Sequence, residues 1–475
     1  MEEKPFVHLF ETPKNQYIYD FNTNAILRVN DSIYNSLKNN NTENILEDLD
    51  VLKRSGFLKK DHWKKIEHPS SRFFETYLKG SLKSITLQVT QQCNLRCHYC
   101  PYSGSYYNRE HNNKKMSLEM SKEIVDFYIM HSYDIPELQF GFYGGEPLLE
   151  FELIKKIITY IEKRAFGKKV SYRMTTNATL LTEEIVDYLV DKKFILTISL
   201  DGPKEYHNRN RLNVNDKGTF DVVMKNIEMI QQRHPEAVDF LAFNCVIDPK
   251  NDLKYLNDFF QENDILNNHL VMFNKIAREG IKDENAYIED EAYQQRYSYE
   301  HFKLLYSKTY KDKGIEVSHI VTSYYEQLKR DIWERGTSSL VENSSHPGGP
   351  CLTGCHKLFV NIYGSFYPCE RVSECSNDMK IGNISTGFDY DKARHLLNIA
   401  QLTEGQCIDC WAAKFCFLCA QHADTGSGIS RDKKLQHCSG VRFEVEELLK
   451  DYCLICEKNG FKEDTVYLTE VHKGD

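Results

Sequence analysis

Segments with the pattern of apolar strands and amphipathic helices alternate from residue 81 to about residue 282, and this alternation limits the fold more than any other feature of the chain. The six strand-like runs are SITLQVT, LQFGFYGG, VSYRMTTN, FILTISLDG, DFLAFNCVID and NHLVMFNKIA. Helical stretches lie between them, two of them beginning after the N-cap residues Ser117 and Thr182. The repeats predict an α/β fold with a parallel sheet and a site at the carboxyl ends of its strands.

Length, composition and charge exclude several classes of protein. A chain of 475 residues is long for one hydrophobic core and predicts two or three domains. Its 41% hydrophobic and 27% charged residues predict a globular protein, and no apolar run approaches the roughly 18 residues of a membrane span. The formal charge of −9 argues against bulk electrostatic binding of nucleic acid. The N-terminus also lacks a signal-peptide pattern, and from these observations together we expect a cytoplasmic protein with neither membrane nor nucleic-acid partners.

The chain divides into four predicted parts around the alternating region. Residues 1–75 combine an antiparallel sheet with two helices in a winged-helix-like pattern, for which a DNA-binding regulator is the alternative interpretation. Residues 81–282 contain the strand–helix repeats, and residues 283–350 form a polar, mostly helical bridge. Residues 351–456 contain eleven of the fifteen cysteines. Since cytoplasmic thiols stay reduced, we expect metal ligands there, with metal replacing much of the core.

The first strand leads directly into VTQQCNLRCHYCPYSG, which places Cys93, Cys97 and Cys100 in the spacing C-x3-C-x2-C. Three thiolates on one tight loop can bind three irons of a four-iron cluster and leave the fourth iron without a protein ligand. A zinc site completed by His98 is the alternative, although zinc prefers four closed ligands. The loop resembles that of the radical S-adenosylmethionine (radical SAM) superfamily. This resemblance implies a partial (β/α)6 barrel and a 4Fe-4S cluster that chelates SAM and cleaves it to a 5′-deoxyadenosyl radical.

Further motifs at the strand ends resemble the SAM-binding segments of this family. YGGEP at residues 143–147 resembles its GGEP motif, TNA at 176–178 resembles its TNG motif, and SLDGP at 199–203 resembles a segment that leads to an arginine. The resemblance implies that the glycines and the Glu146 region receive the SAM amino group, and that Ser199 and Arg211 hold the carboxylate. A generic Gly-Gly turn and a solvated arginine are the alternatives. The implied SAM contacts are Tyr99, which lies against the adenine, Gly144, Gly145, Glu146, Asn177, Ser199 and Arg211.

The C-terminal cysteines follow the order C-x3-C, then Gly364-x4-Cys, then C-x2-C-x5-C-x2-C, and a final single cysteine. The order resembles the SPASM extension of radical SAM peptide-modifying enzymes, which implies two auxiliary 4Fe-4S clusters. Two intervals depart from the family pattern, which leaves Cys375 as the nearest substitute for Cys355 or Cys419. A pair of zinc sites is the alternative. The implied ligands are Cys351, Cys355, Cys369 and Cys419 for the first auxiliary cluster and Cys407, Cys410, Cys416 and Cys438 for the second.

Three further cysteines match no position of these patterns. Cys245 lies inside an apolar strand, which predicts an inert core thiol. Cys453 and Cys456 are expected to be solvent-facing helix thiols, or to serve in redox chemistry or an alternative ligand set.

The order of the parts resembles that of radical SAM maturases that install thioether crosslinks in precursor peptides, the sactipeptide and ranthipeptide type. The resemblance implies that residues 1–75 dock the leader of a cysteine-rich precursor along a sheet edge, and that a reductant such as flavodoxin or ferredoxin supplies electrons. One alternative is a maturase that forms formylglycine in another protein, like the anaerobic sulfatase maturases. Another is a non-enzymatic winged-helix regulator that binds zinc or an iron-sulfur cluster.

Overall fold

The N-terminal segment forms a small antiparallel sheet that is followed by two helices. The computed structural model describes residues 4–40, 46–60, 62–311, 314–335, 343–348, 351–461 and 466–468. Parts of the first predicted segment (1–3, 41–45 and 61) and of the bridge (312–313, 336–342 and 349–350) therefore lie outside the described residues. The elements of this segment are β1 (Val7–Glu11), β2 (Gln16–Asp20), β3 (Ala25–Val29), α1 (Asp31–Asn39), α2 (Leu46–Arg54), β4 (Lys65–Ile66) and α3 (Phe74–Gly80).

Six parallel strands follow, and they correspond to the six predicted runs. Ser117 and Thr182 cap helices as predicted, because their hydroxyl groups accept from the amides of Met120 and Ile185. One short helix, α7, was not predicted, since its sequence KEYHNRN has no apolar periodicity. The elements are β5 (Ser84–Thr90), α4 (Leu118–Met130), β6 (Glu137–Gly144), α5 (Phe151–Arg164), β7 (Lys169–Thr176), α6 (Glu183–Asp191), β8 (Ile195–Ser199), α7 (Lys204–Asn210), α8 (Phe220–Arg233), β9 (Leu241–Ile247), α9 (Leu253–Glu262) and β10 (Leu270–Lys275).

The last part of the chain contains two long helices, one of them near its C-terminal end, with several shorter helices and short strands between them. None of the helices among the described residues is long and apolar enough to cross a membrane. The elements are α10 (Glu291–Tyr310), α11 (His319–Leu328), β11 (Ser344–Ser345), β12 (Leu358–Val360), β13 (Ser365–Tyr367), β14 (Gly382–Asn383), β15 (Gly387–Phe388), α12 (Tyr390–Leu397), α13 (Glu404–Ile408), α14 (Arg431–Gln436), α15 (Cys438–Asn459) and β16 (Val466–Leu468).

The cysteine-rich part continues the central sheet rather than standing apart from it. β12 pairs in parallel with β5, where Leu358 lies opposite Ile85. The sheet has ten strands in the order β10-β9-β8-β7-β6-β5-β12-β13-β14-β15. Phe359 and Phe366 are fully buried in the same core as the six parallel strands. The expectation that metal replaces much of the core in residues 351–456 is therefore wrong, because apolar side chains of this part complete the main core.

The N-terminal sheet packs against the loop between Cys410 and Cys416. The ring of His8 stacks on that of Trp411, with centroids 3.5 Å apart. Lys414 Nζ donates to the carbonyl of Phe21 at 2.6 Å. The sheet and the loop thus share one apolar core. Members of that core are Phe10, Tyr17, Tyr19, Phe21, Ala412, Ala413, Val445 and Leu449.

Three of the four cysteines outside the implied ligand sets are buried, and the fourth, Cys375, is exposed. Cys245 is fully buried on β9, as predicted for a core thiol. Cys453 and Cys456 lie on α15, and both are at most 1% exposed. The expectation of solvent-facing helix thiols is therefore wrong, because this face of α15 belongs to the core shared with the N-terminal sheet.

Candidate functional site

A cavity of about 1030 Å³ opens at the carboxyl ends of the central strands, where the strand–helix pattern predicts a site. Its walls come from the loop after β5, from the ends of β6 to β10 and from the cysteine-rich part. Every residue implied to bind the first cluster or SAM contributes to these walls. They are Cys93, Cys97, Tyr99, Cys100, Gly144, Gly145, Glu146, Asn177, Ser199 and Arg211.

Backbone hydrogen bonds hold the cysteine loop against the segment that follows α7. The amide of Arg96 donates to the carbonyl of Leu212 at 2.7 Å, and the amide of His98 donates to that of Asn210 at 3.0 Å. The amide of Leu95 lies 3.3 Å from Cys93 Sγ, to which it donates. The loop conformation is thus set by main-chain contacts that leave the thiols at the cavity.

The three thiols of this loop form a soft donor set, in which Cys97 is buried and Cys93 and Cys100 are partly buried. Burial raises the pKa of both Cys93 and Cys97 to about 12, and the charge of Cys100 contributes to each rise. Arg211 opposes the rise at Cys97. Buried thiols of this kind keep a proton unless a soft cation replaces it. The donor set therefore fits three irons of a cluster.

The Gly144–Gly145 turn lets the end of β6 reach the cysteine loop. A Cβ atom would lie 2.2 Å from the carbonyl oxygen of Thr90 if added to Gly144, and 2.3 Å from that of Gln92 if added to Gly145. The amides of Gly145 and Glu146 donate to the same two oxygens, at 3.1 and 2.9 Å. The family resemblance assigned these glycines to SAM, whereas the contact between strand and loop already requires them.

Glu146 is buried, and three donors fix its carboxyl group. The hydroxyl of Thr176 donates to it at 2.7 Å, and the amides of Asn177 and Leu148 donate at 2.8 and 3.1 Å. Burial raises the pKa of Glu146 to about 7, although the three hydrogen bonds favour the carboxylate. The side chain ties the ends of β6 and β7 together and places a titratable group in the cavity wall.

Asp201 positions two of the implied SAM contacts, although the sequence analysis did not select it as a site residue. Arg211 Nε donates to Asp201 Oδ2 at 2.9 Å, and the hydroxyl of Tyr99 donates to the same oxygen. The guanidinium lies 5.5 Å from the centre of the Tyr99 ring. The other oxygen of Asp201 accepts from the amide of Val246 at 3.0 Å. The signal for this pair in the sequence was an acidic residue inside the SLDGP run, with an arginine soon after it.

Asn177 contacts the cysteine loop as well as the cavity. Its Nδ2 donates to Asn94 Oδ1 at 2.9 Å and lies 3.8 Å from Cys93 Sγ. Its Oδ1 accepts from the amide and the hydroxyl of Thr179. Ala178, which replaces the glycine of the TNG motif, has a φ of 60°, a conformation that glycine adopts at lower cost. The side chain of Asn177 therefore supports the loop that carries Cys93.

Cys369 and Cys419 bring the first implied auxiliary site to the same cavity, since both contribute to its wall. Burial raises the pKa of Cys369 to about 11, and the charges of Cys419 and Cys351 add to the rise. These three thiols are therefore neighbours. The fourth implied ligand, Cys355, is linked in the same way to Cys351, whose charge adds to the rise of its pKa, and its Sγ donates to the carbonyl of Ser81 at 3.0 Å. It occupies one of the two places where the cysteine order departs from the SPASM pattern.

The other four implied ligands form a second group that does not line the cavity. Burial raises the pKa of Cys416 to about 11, and the charges of Cys407 and Cys410 add to the rise. The charge of Cys438 acts in the same way on Cys410. The substitute ligand Cys375 belongs to neither group and lines another cavity, of about 470 Å³.

The spacing of the cysteines bears on the zinc alternative. Within the part of the chain that the structure describes, no three His, Cys, Asp or Glu side chains are close enough to hold one metal ion. A structural zinc ion requires four donors, each at about 2.0–2.3 Å. The donors of these groups are soft thiols, which also suit an iron-sulfur cluster.

Arg109 joins the cysteine loop to the cysteine-rich part through a buried ion pair. Its Nε lies 2.6 Å from Glu374 Oε1, and the two side chains are only 3% and 7% exposed. Arg109 Nη2 donates to the carbonyl of Val372 at 3.2 Å, and Gln88 Nε2 donates to Glu374 at 2.8 Å. No local pattern signals this pair, because its partners are far apart in the sequence. This ion pair holds the two cysteine regions together where they line the cavity.

Residues 87–261 match the model of the Radical SAM superfamily. They form a radical SAM domain. The solved structure of native anSMEcpe with bound AdoMet superimposes with a TM-score of 0.57 and 20% identity, over 80% of this chain and 100% of that chain. This likeness confirms the α/β fold predicted for the radical SAM domain and the sheet around it.

Two curated relatives are similar in sequence to the region that includes the radical SAM domain. A serine-type anaerobic sulfatase-maturating enzyme of Bacteroides thetaiotaomicron is 30% identical over 199 residues, which cover 41% of this chain and 46% of the relative. A cysteine-type anaerobic sulfatase-maturating enzyme of Clostridium perfringens is 26% identical over 338 residues, covering 68% of this chain and 84% of the relative. The chain thus spans less than half the length of the first of these relatives.

Proposed function

We propose that this chain is a radical SAM enzyme that installs thioether crosslinks, from cysteine sulfur to carbon, in a cysteine-rich, ribosomally made precursor peptide. The observation that carries the proposal is the shared cavity. The loop cysteines, the implied SAM contacts, Cys369 and Cys419 all face one space of about 1030 Å³. A peptide segment bound in this space can contact the first cluster site and the first auxiliary site at the same time.

The proposal gives the cavity residues distinct roles. Cys93, Cys97 and Cys100 would hold the SAM-binding 4Fe-4S cluster, which together with SAM supplies the 5′-deoxyadenosyl radical for hydrogen abstraction. Ser199 and Arg211 would hold the SAM carboxylate, since a guanidinium can fork onto a carboxylate. Asp201 and Tyr99 keep Arg211 in place, and the buried walls exclude water from the reacting carbon.

The other two cysteine groups would hold auxiliary 4Fe-4S clusters, for a total of three. Of these two groups, only the first shares the cavity, through Cys369 and Cys419, and it is the one suited to contact a substrate thiolate. The second group lies outside the cavity and suits electron transfer to or from a reductant such as flavodoxin or ferredoxin.

Residues 1–75 would dock the leader of the precursor by strand addition, which uses main-chain hydrogen bonds. The N-terminal sheet has the order β1-β2-β3-β16, so its outer strands are β1 and the three-residue β16. A leader strand would add beside one of these strands or replace β16 next to β3.

The first test uses a variant in which Ala replaces Cys93, Cys97 and Cys100. We expect folded protein that forms no 5′-deoxyadenosine from SAM under reducing, anaerobic conditions, as measured by liquid chromatography. Mass spectrometry of a cysteine-rich precursor after reaction with the wild-type enzyme should show the loss of two hydrogen atoms per crosslink. Continued SAM cleavage by the triple variant contradicts the proposal.

A second candidate is formylglycine formation in a protein substrate, which the similarity to two sulfatase-maturating enzymes favours. The two candidates differ in their need for a leader. A thioether-forming maturase should modify the full precursor much faster than its core peptide without the leader, whereas a sulfatase-type enzyme should modify a short sulfatase peptide. Varying the substrate is cleaner than deleting residues 1–75, because their sheet shares a core with the loop between Cys410 and Cys416.

The non-enzymatic alternative, a zinc or iron-sulfur regulator, is tested by metal analysis of anaerobically purified protein. Three four-iron clusters predict about twelve irons per chain. A zinc protein would contain essentially no iron.

A further inference from the structure

Lys434 places a buried positive charge beside the second group of implied auxiliary ligands. It lies on α14, and the residue is only 1% exposed. Its Nζ donates to Thr403 Oγ1 at 3.0 Å and lies 4.0 Å from Cys407 Sγ. Its carbonyl oxygen accepts from Cys438 Sγ at 3.9 Å. Lys434 therefore contacts two cysteines that different segments of the chain supply.

No carboxylate of the described residues forms an ion pair with Lys434. Its ammonium group instead lies 4.0 Å from the sulfur of Cys407. A lysine side chain is almost never fully buried without an anionic partner, because desolvation of the ammonium group is costly. The site therefore calls for an anion next to Cys407.

We infer that Lys434 is the counter-charge of a metal–thiolate centre held by Cys407, Cys410, Cys416 and Cys438, and that it raises the reduction potential of this centre. The inference rests on the proposed function in one respect, namely that these cysteines bind a four-iron cluster. Four thiolates give such a centre a net negative charge, and uptake of one electron adds one more. A fixed ammonium group stabilises the more negative, reduced state more strongly than the oxidised state.

Thr403 extends the contact between Lys434 and the cysteines. Its Oγ1 accepts from Lys434 Nζ and lies 3.2 Å from Cys407 Sγ. In this structure the hydroxyl donates to the carbonyl of Ala400 at 3.3 Å. When Cys407 is a thiolate, the hydroxyl hydrogen turns to its sulfur, and the ammonium group strengthens this hydrogen bond. Hydrogen bonds to ligand sulfur and nearby charge both act on cluster potential in the same direction.

The test is a potentiometric titration of Lys434→Met, which keeps an unbranched side chain and removes the charge. The background is a variant in which Ala replaces the cysteines of the other two groups, so that only the second auxiliary group binds iron. Dithionite supplies the electron, and electron paramagnetic resonance measures the reduced centre. At the midpoint potential of the background protein, we expect the ratio of reduced to oxidised centre to fall at least tenfold, which corresponds to about 59 mV for one electron.

Two further variants separate charge from packing. Lys434→Arg keeps the positive charge and should restore most of the potential. Lys433→Met removes the same charge from the neighbouring, less buried position on α14 and should shift the potential much less. An unchanged potential in iron-loaded Lys434→Met overturns the inference. If the methionine variant does not fold, Lys434→Gln takes its place in the same titration.

A second measurement uses metal-free protein. Without the anionic centre the buried ammonium group is uncompensated, so Lys434→Met should raise the melting temperature of metal-free background protein, while Lys433→Met should not. A lower melting temperature for metal-free Lys434→Met contradicts the counter-charge. If Lys434→Met binds iron and its reduction potential is unchanged, only the role of Lys434 is refuted. If the background protein binds no iron, the cluster assignment is refuted as well.

Discussion

Replacing Gly145 by alanine tests whether the contact between β6 and the cysteine loop positions the first cluster site. The new Cβ would lie 2.3 Å from the carbonyl oxygen of Gln92 and 3.0 Å from the Cβ of Cys93. Since non-bonded heavy atoms attract best near about 3.5 Å, one backbone segment must move by roughly 1 Å. Gln92 directly precedes Cys93, so the movement displaces the first cluster ligand. A misplacement of about 1 Å can cost on the order of 100-fold in rate.

We therefore expect Gly145→Ala to form 5′-deoxyadenosine about 100-fold more slowly than the wild type, and to bind less iron after anaerobic reconstitution. Chromatography measures the rate, and iron per chain is measured on the same sample. Gly440→Ala is the matched control, because a Cβ there has no neighbour within 4 Å. Full iron content with a low rate would mean that the glycine acts through SAM. A wild-type rate would refute the steric reasoning.

Three further predictions address the buried pairs and the shared core. Asp201→Asn and Arg211→Met each leave a buried charge without its partner, so each should lower the free energy of unfolding by about 3–5 kcal/mol. The double variant should lose less than the sum of the two, and thermal unfolding of all three variants measures this. Burial raises the pKa of Glu146 from 4.5 to about 7, so the folded state holds this proton more tightly than the unfolded chain, and stability falls as pH rises through that range. Between these pH values the melting temperature should therefore decline less in Glu146→Gln than in the wild type, and the difference in free energy of unfolding should be about 3 kcal/mol. Parallel pH profiles of the two proteins would contradict the pKa shift. Deleting residues 1–75 uncovers the apolar side chains around Ala412 and should reduce iron per chain by about one four-iron cluster, while an unchanged iron content would contradict the shared core.

The six central strands were predictable because the pattern that specifies each strand is local. The helix α7 was not, because its buried residues are polar. His207 Nε2 lies 3.1 Å from Thr219 Oγ1, and Asn210 Nδ2 donates to Asp248 at 3.0 Å. Such side chains become interior only when partners from other segments satisfy them. A search for hydrophobic periodicity does not detect helices whose buried residues are polar.

The cysteines were predictable as ligand candidates because their spacing is a chemical signal in itself. Their supporting residues were harder to find. Arg109 and Glu374 are isolated charged residues in the sequence, and their pairing depends on β12 lying beside β5. Lys434 occurs in an unremarkable Lys-Lys pair, and nothing local distinguishes the buried lysine from its neighbour. Charge partners of this kind are defined by tertiary contacts and not by motifs.

The pairing of β12 with β5 also sets an order of events during synthesis. β5 ends at Thr90, and β12 begins at Leu358, about 270 residues later. At about 5–20 residues per second, roughly 15–55 s of translation separate the two strands. During that time the edge of β5 has no partner and can mispair with other chains. The segment that holds the loop with Cys93, up to Leu212, is synthesised within this interval. The three ligands of the first group are therefore in place before the cysteines of the other two groups are made.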